Sequence, residues 1–141
     1  MKMDDLIRAY AEKYETDPDV PTDLLIAIAK AESNMDKYAY SSAQAMGIFQ
    51  LTPIALLDLS KRFGMDIAPF DIESATLGAK AYLSWLRRAF SEFYDWSLVL
   101  AAWNWGYGNT LKWIAGEQEL PEETSDFIDR VMRYYDTSKR G

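Results

Sequence analysis

Glu32 follows an unbroken apolar run, Leu24-Leu25-Ile26-Ala27-Ile28-Ala29, and is itself followed by Ser33 and Asn34. A carboxyl at the end of such a run is drawn partly out of water. Desolvation disfavours its charged form and raises its pKa. A carboxyl still protonated near neutral pH can donate a proton to a leaving oxygen. The chain has no cysteine and no histidine. That excludes thiol and Ser–His nucleophilic catalysis, disulfide frameworks and zinc fingers, and it disfavours a transition-metal site. Acid–base work therefore falls to Asp, Glu, Lys and Tyr.

Three further stretches combine glycine, amide and aromatic side chains. Ala45-Met46-Gly47-Ile48-Phe49-Gln50-Leu51-Thr52-Pro53 lies just beyond Ala39-Tyr40-Ser41. Ala101-Ala102-Trp103-Asn104-Trp105-Gly106-Tyr107-Gly108 follows later, and Pro121-Glu122-Glu123-Thr124-Ser125-Asp126-Phe127 closes the series. Taken singly, each has a plain structural reading. Ser33 and Ser41 suit turn caps, Gln50 a surface position, and Asn104 a helix C-terminus. Trp103, Trp105 and Tyr107 suit a core, although three rings around a glycine turn cannot all point inward, so at least one is expected to face out of the core. Gly47, Gly106 and Gly108 are expected where φ is positive or backbones approach closely. Asp36, Asp58 and Asp71 are candidate second carboxylates but read better as turn or cap residues. The acidic run from 117 to 129 reads as a solvated helix start, and Lys80, Arg87 and Arg88 as a solvated helix face.

Helical periodicity dominates the elements that must position these groups. Helices are expected over residues 3–15, 21–32, 53–63, 71–93, 96–103, 110–115 and 121–135, in a bundle of around eight. Thr16-Asp17-Pro18-Asp19 breaks the first. Thr52-Pro53 opens the third, and Gly64 stops it. Residues 33–47 read as a loop or short irregular ribbon, and Asn104–Asn109 as a glycine-punctuated loop. With 141 residues, one domain is expected, all-α or α with a minimal β element, large enough for a core without staples.

Taken in order, the four stretches make the chain resemble the catalytic domain of soluble lytic transglycosylases, in the lysozyme superfamily, over roughly residues 18–135. The family pattern runs Glu-Ser with a nearby Ala-x-Ser, then Ala-x-Gly-Leu-Met-Gln-hydrophobic-x-Pro, then Ala-Tyr-Asn before a Gly-x-Gly turn, then Glu-Thr-x-x-Tyr. The resemblance implies a lysozyme-like fold with a substrate cleft and no metal or cofactor. It implies Glu32 as sole acid and base on peptidoglycan, cleaving between N-acetylmuramic acid and N-acetylglucosamine to leave 1,6-anhydro ends. It places Ser41, Met46, Gly47, Gln50, Trp103, Asn104, Trp105 and Tyr107 against the glycan, with Ser33 and Phe127 behind Glu32. Three positions depart from the pattern. Trp103 replaces a Tyr, Phe49 a Met, and Phe127 a Tyr whose hydroxyl lies near the catalytic carboxyl. Tyr107, another donor, or burial alone is then left to tune Glu32. A hydrolytic muramidase similar to goose-type lysozymes stays open, as does a wall-binding protein without activity.

The net charge of −7 argues against a nucleic-acid partner and against adhesion to anionic surfaces. No apolar run reaches membrane-spanning length. The charged first 17 residues do not read as a secretory leader. Expected partners are glycan strands, with targeting supplied by a partner or fused module. The expected place of action is the cell wall, reached from the periplasm or from a phage lysin or virion.

Overall fold

The computed structural model of the protein describes residues 2–14, 17–91 and 95–140. Seven helices follow in order among them: α1 (Met3–Lys13), α2 (Thr22–Ser33), α3 (Pro53–Phe63), α4 (Ile72–Ala89), α5 (Trp96–Trp105), α6 (Tyr107–Ile114) and α7 (Glu122–Arg140). Two isolated antiparallel bridges, Tyr40 with Met46 and Met46 with Leu51, are the β structure found. The expected minimal β element is therefore this short ribbon.

α2 is the centre. Leu24 through Ala29 are all buried, because a helix apolar on every side must be covered on every side. α1, α4 and α7 pack around it, and α5 joins α7 to α4. Burying each large apolar side chain such as Leu25 or Ile28 contributes about 1.5–3 kcal/mol. The helix ends at Asn34, whose φ of 53° turns the chain away while its N–H closes on the Lys30 carbonyl. The residue after Glu32 and Ser33 is thus where the core helix meets the ribbon.

The anticipated caps are present. Thr52 Oγ1 accepts from the Ala55 N–H at 3.2 Å with Pro53 in the first turn, and Gly64 closes α3 at φ 63°. Asp71 and Asp95 each accept a backbone N–H at 2.9 Å to open α4 and α5. Asp36 accepts from the Tyr38 N–H in a turn, also at 2.9 Å. These two roles for Asp36 and Asp71 match their sequence reading.

Other expectations need correction. α5 runs on to Trp105 and α6 begins at Tyr107, so the loop expected over Asn104–Asn109 shrinks to Gly106, at φ 105° and ψ 148°. Gly108 is helical. Thr110 Oγ1 and Asn109 Nδ2 donate back to the Gly106 and Trp105 carbonyls at 2.8 and 3.0 Å, which holds the junction tight. α4 ends at Ala89; residues 92 and 93 of its expected last turn lie outside the described residues, as does Thr16 of the first break. α7 continues beyond 135 to Arg140. Lys80 is not on a solvated face: it is 7% exposed, and its Nζ donates to the Ala11 carbonyl at 2.8 Å. Arg87 clasps Asp17, which also accepts from Ser84 Oγ at 2.8 Å, pinning the α1–α2 connection to α4.

Candidate active site

A cavity of about 690 Å³ opens at the C-terminal end of α2. Its walls come from several elements. Glu32 is on α2; Ser41, Ala45 and Gln50–Thr52 are on the ribbon; Tyr82 is on α4; Ala102–Gly106 come from α5 and its end, with Glu123 from α7. These groups are far apart in the sequence, and the packing of α7 on α2 and of α5 on α7 and α4 unites them.

Glu32 is partly buried, and its Oε2 accepts a hydrogen bond from Trp103 Nε1 at 3.2 Å. Its pKa is raised to about 7. Burial is the main cause. The Trp103 bond and the charge of Arg130 pull it down, and Glu123 pushes it up. At neutral pH both protonation states are therefore populated, which suits a group that must give a proton and then take one. The donor in reach is Trp103. Tyr107, the alternative suggested by Phe127, is elsewhere: it packs on Trp85 and Phe90 with ring centroids 5.5 and 5.2 Å away, and it does not line the cavity. Phe127 is 1% exposed and belongs to the core.

The ribbon is braced from within. Ser33 Oγ donates to the Ile48 carbonyl at 2.7 Å, and lies 3.2 Å from that of Ala29, tying the end of α2 to the ribbon. Ser41 Oγ lines the cavity while accepting the N–H groups of Ala43 and Ala45 at 3.2 and 3.0 Å. Gln50 also lines it. Its Nε2 donates to the Ala39 and Gly47 carbonyls at 3.1 and 2.9 Å, which fixes the amide against the ribbon. Met46 and Gly47 do not line the cavity. Met46 carries both bridges, and Gly47 is buried at φ 79° where an added Cβ would lie 1.9 Å from the Pro69 carbonyl oxygen. Their part is to let the ribbon fold behind the wall.

Of the α5 residues, Trp103, Asn104 and Trp105 all face the cavity. Asn104 Oδ1 accepts from Thr124 Oγ1 at 2.8 Å, which locks α5 to the start of α7. Three wall or bracing groups escaped the sequence reading: Tyr82, Glu123 and Thr124. Glu123 and Thr124 were in a recognised stretch, and Tyr82 was in an expected helix. Glu123 was hidden by its acidic neighbours, and Tyr82 by an aromatic-rich helix that reads as core. Among the described residues, no group of three or more Asp or Glu side chains is placed to hold a metal ion.

The geometry provides one carboxyl poised between its two charge states, in a groove lined by aromatic rings and amides. Comparison with known proteins gives the same direction. The family described as "Transglycosylase SLT domain" matches residues 7–125. The chain is 27% identical over 131 residues to membrane-bound lytic murein transglycosylase D of Escherichia coli strain K12, covering 82% of this chain and 28% of that one. It is 33% identical over 89 residues to a putative tributyltin chloride resistance protein of an Alteromonas strain, covering 60% and 40%. The fold is that of the 70 kDa soluble lytic transglycosylase of Escherichia coli, with a TM-score of 0.76 at 23% identity over 93% of this chain and 23% of that one. An inactive Glu-to-Gln mutant of lytic transglycosylase Slt from Pseudomonas aeruginosa superposes with a TM-score of 0.70 at 24% identity, over 92% and 22%. The chain thus spans about a quarter of the length of these larger relatives, the Alteromonas protein aside.

Proposed function

Because this chain belongs to the transglycosylase SLT domain family, we propose that it is a peptidoglycan lytic transglycosylase with Glu32 as its acid and base. The observation that carries the reading is Glu32 itself: buried enough to hold a pKa of about 7, hydrogen-bonded by an indole, and facing a cavity that can seat sugar rings.

In the first step protonated Glu32 gives its proton to the glycosidic oxygen as the bond to the anomeric carbon breaks. The oxocarbenium-like centre is assisted by the muramyl 2-acetamido group of the substrate. In the second step the Glu32 carboxylate removes the proton of the C6 hydroxyl, whose oxygen closes on the anomeric carbon. The product is a 1,6-anhydro end, and no water is consumed. Trp105 offers its ring to the sugars, and Ser41, Gln50 and Asn104 offer polar contacts. Place of action would be the cell wall. Because the net charge of −7 repels an anionic polymer, a partner or fused module would supply targeting.

One observation favours a second reading. Glu123 brings a second carboxyl to the same cavity, and a hydrolytic muramidase needs such a group to activate water. The Trp103 bond, by contrast, supports an active enzyme of either kind over a wall-binding protein without activity, because it supplies a donor that Phe127 lacks. Replacement of Glu32 by Gln is expected to abolish turnover of purified sacculi with the fold intact. Near-normal turnover by that variant would defeat the reading.

A further inference from the structure

Trp103 meets Glu32 through a group that can only donate. An indole N–H has no lone pair to offer, whereas a phenol hydroxyl donates or accepts as it rotates. We propose that Trp103 is a positioning residue that sorts the two oxygens of Glu32: its N–H holds Oε2 as a permanent acceptor, so Oε1 alone gives the proton and takes it back. The chemistry of that cycle rests on the transglycosylase reading above; the hydrogen bond from which it starts does not.

A proton on Oε2 would face the indole proton 3.2 Å from nitrogen to oxygen, and one of the two contacts would be lost. The protonated acid therefore carries its hydrogen on Oε1, with Oε2 as the carbonyl oxygen. After transfer the same N–H stabilises the carboxylate, now as a charge-assisted bond. The indole is not free to turn away. Its ring packs against Tyr82 with centroids 5.5 Å apart and planes at 50°. Tyr82 is stacked on Trp85 at 6.1 Å and 13°, and the Arg62 guanidinium covers the Trp85 ring at 4.3 Å. A column of aromatic rings on α4 thus sets the direction of one N–H on α5.

Both half-reactions then pass through Oε1. The Oε1–H bond breaks as its hydrogen moves to the glycosidic oxygen, which keeps the electron pair of the severed C1–O bond. Oε1 next accepts the C6 hydroxyl proton while that oxygen bonds to C1. The carboxyl ends as it began. Two ionised groups bear on Glu32 from α7, Glu123 and Arg130, with opposite effects. From α4 the titratable neighbour is Tyr82, behind the indole, and the ribbon wall offers the neutral Ser41 and Gln50.

The direct test is nuclear magnetic resonance of the indole N–H groups, of which the chain has five, assigned by triple-resonance experiments so that no Trp103 variant is required. The Trp103 resonance is expected to titrate near neutral pH and to stop titrating in Glu32→Gln. A resonance that stays flat in the native protein overturns the proposal. Kinetics on soluble, peptide-free glycan fragments of alternating N-acetylglucosamine and N-acetylmuramic acid add a second arm. Trp103→Phe keeps a ring and removes the donor. It should lower kcat about ten-fold, leave KM within about two-fold of the native value, and move the alkaline limb of kcat to higher pH; Trp103→Tyr should recover most of kcat. A raised KM with kcat and limb unmoved would overturn the proposal and make Trp103 a sugar platform only. Absence of anhydro ends from the native protein would instead sink the transglycosylase reading, while the indole titration still decides whether Trp103 holds Glu32 through its ionisation.

Discussion

Glu32 carries a cost as well as a function. Its pKa is raised to about 7 in the folded protein, from an ordinary value of 4.5, mainly by burial. Between those two pH values the folded state binds more protons than the unfolded one. The contribution of Glu32 to stability is then most favourable below about pH 4.5, falls as pH rises, and levels off above about 7. Glu32→Gln removes the penalty. The variant is expected to be more stable than the native protein at pH 8, by about 3 kcal/mol at most, with the gain gone by pH 4. Urea melts at the two pH values measure this; equal stabilities at pH 8 would mean that the carboxyl is solvated. Glu32 was legible in the sequence because an apolar helix ends on it. Its donor was not. Trp103 and Tyr107 are four apart, so an unbroken helix would present them on one face. Gly106, at φ 105°, breaks that phase and sends Tyr107 to Trp85 and Phe90.

At the scale of elements, the groove wall depends on how the ribbon passes the α3–α4 connection. Gly47 is the tight point. A Cβ there would meet the Pro69 carbonyl at 1.9 Å, and φ is 79°. Gly64 is the natural control, with φ 63° and nothing within 4 Å of an added Cβ. Gly47→Ala is expected to cost roughly 2–4 kcal/mol through strain and overpacking and to lower activity as the wall shifts. Gly64→Ala should cost only about 1–2 kcal/mol with activity kept. Chemical denaturation and turnover of both variants check this, and equal costs would contradict the tight approach. The helices themselves were legible, since Thr52, Asp71 and Asp95 announce their starts and Gly64 a stop. The approach of Gly47 to Pro69 was not, because local pattern says nothing about which turn meets which. Lys80 was misjudged for the same reason: only the packing of α1 on α4 reveals that its ammonium reaches Ala11.

The whole molecule is an acidic shell around one apolar helix, with the groove where that helix ends. A net charge of −7 should slow its approach to an anionic polymer, and salt screens such repulsion over about 10 Å at 0.1 M. Turnover of intact sacculi is therefore expected to rise several-fold between about 10 and 150 mM salt, while turnover of a short soluble glycan fragment, which carries few charges, changes much less. A fall on sacculi would point to a local basic contact that the net charge conceals. The fold class was legible at this scale from helical periodicity and from four ordered stretches. Glu123 was the main omission, because its place in the cavity comes from the docking of α7 beside α2. Its presence is also why the choice between an intramolecular C6 hydroxyl and a water molecule matters most. Mass spectrometry of glycan fragments released from purified sacculi in ¹⁸O-labelled water decides that choice. 1,6-Anhydromuramyl ends are expected, one water lighter than reducing ends, free of label, and absent with Glu32→Gln; reducing ends carrying ¹⁸O would show hydrolysis instead.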